Sequence, residues 1–220
     1  MEQAPYYSLI ATLHGITGLI IFLTGILQFL LKKGGKWHRL IGRIYFFSWF
    51  SILATGAYIG SLVIVAIVFL GFYLCITGIR AAALRGKPFE LIDKSIVIFA
   101  AMVVLFMIVS AIFLVIDKYY TYAIIAGFFS ILYSWVITRD VIFILFNKRT
   151  YKKDYGKLNW YVSHLTRMQF SFVTAVGAFT AVQNVFGNDA LNFILPALLG
   201  FVVIKRSTKY FLDKANIVAK

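Results

Sequence analysis

The sequence predicts an all-α membrane protein: one bundle of seven transmembrane helices, N-terminus outside and C-terminus cytoplasmic. Three observations predict it. Hydrophobic residues make up 61% of the 220 and charged residues 14%, with a mean hydropathy of +0.87. Soluble chains are about 45–50% apolar and about 25% charged. Apolar runs recur, each long enough for a hydrocarbon core of about 30 Å, which takes about 20 helical residues. Finally, the basic residues gather in alternate loops. A chain in lipid must satisfy its backbone as helices or as a closed barrel, and runs this long mean helices.

Span one is expected at 7–31. The start, "MEQAPYYSLIATLHG", carries a Glu and no basic segment, and the run after it is too long for a signal peptide, so this span is expected to stay in the protein. Spans two and three share a run too long for one helix; "GAYIGS" is its natural turn, giving 39–58 and 61–83. "RGKPFELIDK" then breaks the pattern, with Pro88 just ahead of a helix start. Span four is expected at 94–116, "DKYY" as a turn, and span five at 120–146. "NKRTYKKDYGKLNW" is a polar loop, followed by span six at 161–184, the loop "FGNDALN" and span seven at 191–207. All of this is expected to form a single domain, 1–220.

The charges set the orientation. Every Lys and Arg except Lys118 lies in 32–43, 80–94, 139–157 or 205–220, or is Arg167. These segments alternate, so they share one side of a seven-span chain. Cytoplasmic loops carry the excess of Lys and Arg, which puts that side in the cytoplasm. The net charge of +14 would suggest nucleic acid in a soluble protein. Here short loops hold it, no nucleic-acid motif accompanies it, and the expected partners are the bilayer and its anionic headgroups at the cytoplasmic face. The lone Cys75 sits in an apolar run and has no intrachain partner for a disulfide.

Several polar residues are candidate site residues. His14, Gly18, Ile21, Gly25 and Gln28 fall within about 40° of one helical line at about 100° per residue. Small residues let helices approach and polar ones bond across them. A histidine at the depth of His14 should face the bundle or a wet cavity. Its two readings are a neutral histidine bonded to a neighbouring helix and a ligand or proton role. Span six has a similar line: His164, Met168, Ser171, Ala175 and Ala178. His164 and Met168 are four residues apart and share a face, as a packing face or as ligands for haem iron or a soft metal.

His38, at the cytoplasmic entrance of span two, is expected at the depth of His164. It is either an interfacial residue beside Trp37 or, with His164, an axial ligand of a haem b. His14 cannot join them, because 24 residues of helix span about 36 Å, so no metal site is expected. Arg39, Arg43, Asp93, Arg139, Asp140 and Arg167 are expected on the same rim. Arg139 and Asp140 point about 100° apart, so each should meet a different helix. Arginine forks hold carboxylate or phosphate. The cluster is then a site for an anionic headgroup, a substrate anion or haem propionates, or a structural net of salt bridges. No phosphate-binding loop, nucleophile motif or zinc-protease motif is present, and no convincing internal repeat relates the halves.

"LHGITGLIIFLTGILQFLLKKGGKWHRLIGRIYFFSW" is similar to the opening of a bacterial membrane family, domain of unknown function 2306. The matching residues are His14, Gly18, Gly25, His38, Arg39, Gly42, Arg43 and Tyr45. "FYLCITGIRAAALRGKP", the Arg139–Asp140 pair, "HLTRMQFSFVTAVGAFTAVQN", and Pro196 with Gly200 continue the likeness over most of the chain. The resemblance implies a multi-span protein of the bacterial cytoplasmic membrane and no activity. Three functions fit the residues: a haem- or other cofactor-binding redox protein with its site near the cytoplasmic side, a permease or binding protein for a small anionic or lipid-like ligand, and a structural or assembly subunit.

Overall fold

The computed structural model describes residues 6–146 and 155–219. The basic residues expected at 148, 149, 152 and 153 lie outside that range. The chain is all-helical: α1 (Tyr7–Leu30), α2 (Lys36–Ile59), α3 (Leu62–Leu84), α4 (Leu91–Ile116), α5 (Tyr120–Phe146), α6 (Asn159–Val182) and α7 (Asp189–Ala219), with a 3-10 turn at Gly156–Leu158 before α6.

Expected and observed ends agree within three residues except at the end of α7. Helix α2 begins at Lys36, so His38 sits in its first turn rather than before it, and "GAYI" belongs to the helix, with the turn only at Gly60–Ser61. Helix α7 starts inside the expected "FGNDALN" loop and runs twelve residues past the expected end at 207, to Ala219. No proline or glycine stands in 208–219 to end the helix earlier.

Local chemistry sets the starts. Ser61 accepts from the Ile64 N–H at the head of α3, and Asn188 Oδ1 accepts from the Leu191 N–H at the head of α7. Glu90 and Asp93 form a reciprocal capping box on α4. Pro196 stands inside α7 and brings no N–H, so the carbonyl of Asn192, four residues back, loses its helical donor. The Thr180 hydroxyl of α6 donates to it instead, at 2.6 Å.

Helices α3 and α6 pack together most closely and form the centre. Leu70, Tyr73, Leu74 and Cys75 of α3 are buried. One apolar cluster joins α3 to α4 and α5; a second joins it to α1, α2 and α6. The outer faces are apolar too, as at Leu13 and Leu23 of α1, Phe99 and Leu105 of α4, and Leu198 and Val202 of α7, all exposed. Soluble monomers rarely expose contiguous apolar surface on this scale.

Six of the seven helices are long and apolar enough to cross a membrane. Helix α6 is long enough but too polar. Its position explains this: only Phe179 and Val182 of α6 are exposed. The helices around it form its environment, so its polar side chains meet protein. Glycines let those neighbours close in. A Cβ on Gly71 of α3 would come 2.8 Å from Thr174, one on Gly78 would come 3.0 Å from Met168 Sδ, and one on Gly200 of α7 would come 2.5 Å from Val173. On α1, a Cβ at Gly25 would run into the Phe172 ring.

Candidate functional site

Arg167 lies eight residues into α6, about 12 Å along the helix axis. Each of its three guanidinium nitrogens donates a hydrogen bond. Nε donates to Ser163 Oγ at 3.2 Å, Nη1 to Thr77 Oγ1 at 2.8 Å, and Nη2 to Asp140 Oδ1 of α5. The second carboxylate oxygen of Asp140 accepts from the Tyr73 hydroxyl of α3. Asp140 and Arg167 side chains are 7% and 12% exposed. An ion pair so deep holds only because hydrogen bonds satisfy its remaining atoms. Three helices are thereby tied together in their charged half.

A second charged group lies nearer the helix ends. Arg80 of α3 grips Asp93 through two bonds of 2.6 and 2.9 Å and reaches Glu90 at 2.5 Å. Asp93 also accepts from the Glu90 N–H, so one carboxylate caps α4 and anchors α3.

Between these groups lies a cavity of about 200 Å³, walled by α3, α4, α5 and α6. Four cationic side chains line it (Arg80, Lys87, Arg139, Arg167) against two anionic ones, Asp93 and Asp140. Trp135, Trp160 and Phe170 supply aromatic walls. The Arg139 guanidinium lies over the Trp135 ring, 4.8 Å from its centre.

The expected rim therefore divides. Asp93, Arg139, Asp140 and Arg167 line one cavity. Arg39 and Arg43 do not join them: both are exposed on α2 and line no part of it. Asp140 meets α3 and α6, as expected, whereas the ring contact of Arg139 is to Trp135 of its own helix. The structure adds Tyr73, Thr77, Arg80, Lys87 and Ser163. The tyrosine, threonine and serine carry no sequence signal apart from their place; Arg80 and Lys87 were visible only as loop charge.

The histidines lie elsewhere. His14 faces the bundle and shares a 2.9 Å hydrogen bond with Thr55 of α2, toward the opposite end from His38. His164 Nδ1 lies 2.9 Å from the Gly78 carbonyl, which can only accept, so Nδ1 carries a proton and neutral His164 has its lone pair on Nε2. His38 lies within electrostatic reach of His164 and of Lys33, and its Nδ1 is buried without a hydrogen-bond partner. Lys33 donates to the carbonyls of Gln28 and Phe29 at the end of α1, and partial burial lowers its pKa. Neither His38 nor His164 lines the cavity. Met168 packs against Gly78 and the α1–α2–α3 cluster. Among the described residues no three His, Cys, Asp or Glu side chains are grouped to hold a metal.

No family model, curated protein or solved structure matches the chain.

Proposed function

We propose that this chain is a seven-span protein of the bacterial cytoplasmic membrane that binds a small anionic ligand in the cavity between α3, α4, α5 and α6. The basic end faces the cytoplasm in this reading, with the N-terminus outside. Helix α6 crosses with the rest, shielded by its neighbours. Arg39 and Arg43 reach anionic headgroups from the surface of α2. The proposal includes membership of the family that the chain resembles, on the residues given above.

The excess of cations in the cavity lining carries this reading. A partly enclosed space strengthens the attraction of an anion for such a lining. Arg167 is held by three partners and acts as a fixed part of the floor, while Lys87 stands exposed at the mouth. Thermal unfolding of the purified protein against inorganic phosphate tests it. Stabilisation should rise with phosphate, weaken several-fold in Lys87→Gln and persist in Arg43→Gln. Equal weakening in both variants would mean general screening and no site.

The neighbouring imidazoles of His38 and His164 support a second reading, a haem held between them. The free Nε2 of His164 is the specific observation that favours it. An absorption spectrum of protein made with ample haem, oxidised and then reduced, decides: a Soret band lost in His164→Ala supports it, and a flat spectrum removes it.

A further inference from the structure

Helix α2 carries a cationic stripe that no described carboxylate answers. Lys36, Arg39 and Arg43 lie within about 60° of one helical line at about 100° per residue. All three are exposed. The helix itself has no Asp or Glu. Elsewhere at this end, Glu90 and Asp93 are taken by Arg80, and Asp140 by Arg167. Asp213 stands on α7, whose backbone does not approach α2. Among the described residues, none gives the Arg39 or Arg43 side chain a hydrogen bond or an ion pair.

The stripe ends on a bed of phenyl rings. Arg43 lies seven residues into α2, about 10 Å along its axis. The same helical line continues into Phe47 and Phe50, 67% and 61% exposed. Phe47 meets Phe46, and both Phe46 and Phe50 meet Phe72 of α3, with ring centres 5.7 and 6.4 Å apart. The Cα–Cβ bond leans toward the helix N-terminus, so Arg43 extends back toward Arg39, one turn away. A charge at the edge of an apolar face keeps its head at the interface and takes an anion there.

We propose that this face of α2 binds a phospholipid with two phosphates in its headgroup, the chemistry of cardiolipin. One phosphate lies between Arg39 and Arg43, the other between Arg39 and Lys36, and acyl chains lie against the rings of Phe46, Phe47, Phe50 and Phe72. The inference rests on the reading that Arg39 and Arg43 reach headgroups, and adds the kind of lipid. A phosphodiester carries a single negative charge, so a lipid with one phosphate leaves most of the stripe uncompensated. Two linked phosphates meet more of it without the cost of ordering a second molecule. A soluble anion has nothing to set against the rings, whereas a lipid meets the cations and the rings together.

Native mass spectrometry of the full chain in detergent tests this, with tetraoleoyl cardiolipin and dioleoyl phosphatidylglycerol supplied at equal phosphate. The unaltered protein should keep a cardiolipin under activation that strips phosphatidylglycerol. Arg39→Gln and Arg43→Gln should each weaken cardiolipin binding about fivefold, the weight of one basic residue at an anionic surface. Lys209→Gln, at an exposed cation of α7, and Lys87→Gln, at the cavity mouth, should leave it unchanged. The comparison of two lipids on the unaltered protein does not depend on how any variant folds. If both lipids bind alike and the arginine variants weaken both, the headgroup contact stands and the preference for two phosphates is wrong. If the arginine variants weaken neither, or Lys209→Gln weakens both as much, α2 holds no lipid site and both readings are wrong.

Discussion

Arg167 and Asp140 show what a buried charge requires. Each would be costly alone in an apolar bundle, and each is matched to the other and to Thr77, Ser163 and Tyr73. Removing one partner leaves the other charged and unpaired, which costs about 3–5 kcal/mol. Arg167→Met should therefore lower stability by about that amount in chemical unfolding, and adding Asp140→Leu should restore most of it. A single variant as stable as the parent would show that the pair is open to water. The bridge at Arg80 is graded. Glu90 is 63% exposed, and Glu90→Gln should cost under about 1 kcal/mol. Asp93→Asn loses charge on a side chain 5% exposed that also caps α4, and should cost more by the same measurement.

At the scale of the element, α6 depends on how close its neighbours come. Gly71 of α3 lies between Trp49 and Thr174, where a Cβ would meet atoms at 2.6 and 2.8 Å. Gly127 of α5 has nothing within 4 Å of the same position. Gly71→Ala should separate α3 from α6 and cost about 1–3 kcal/mol, typical of overpacking. Gly127→Ala should be neutral or gain up to about 1 kcal/mol from helix propensity. Thermal melts of the two variants give opposite signs if the seam is as described. The Pro196 gap makes a related prediction. Thr180→Val leaves the Asn192 carbonyl without its donor and should cost about 1–3 kcal/mol, with Thr180→Ser recovering much of it.

For the whole molecule, the open matter is which end faces the cytoplasm. Cys75 is fully buried, so an impermeant thiol reagent should leave the native chain unlabelled. Lys118→Cys should label from outside intact cells and Lys36→Cys only after the membrane is opened; the reverse pattern would invert the orientation proposed above. Helix α7, with 31 residues, is about 46 Å long, more than the hydrocarbon core of about 30 Å needs, so its basic end stands beyond the core in either orientation. Lys33 lies 4.7 Å from the centre of the Phe211 ring there, tying the α1–α2 turn to that end.

Much of this was legible along the chain. Long apolar runs marked six helices and the approximate place of α6, because mean hydropathy and length are properties of a contiguous segment. The line from His14 to Gln28 faces the bundle, as small and polar residues at helical spacing predict; Ile21 is buried and Gln28 donates to the His38 carbonyl. The collection of cations at one end followed from alternation alone. What the sequence could not carry was partnership. Tyr73 stands 67 residues from Asp140, and Tyr45 stands 126 from the Ser171 that it bonds. A tyrosine in an apolar run reads as belt or core until another helix brings a carboxylate to it. Hydropathy understates α6 because it treats lipid as the neighbour of every side chain, whereas here the neighbours are α1, α3 and α7. By itself the sequence determined the helices, their order and the charged end; only tertiary packing decided which charges meet, because a salt bridge and a cavity wall depend on distances between segments that no local pattern encodes.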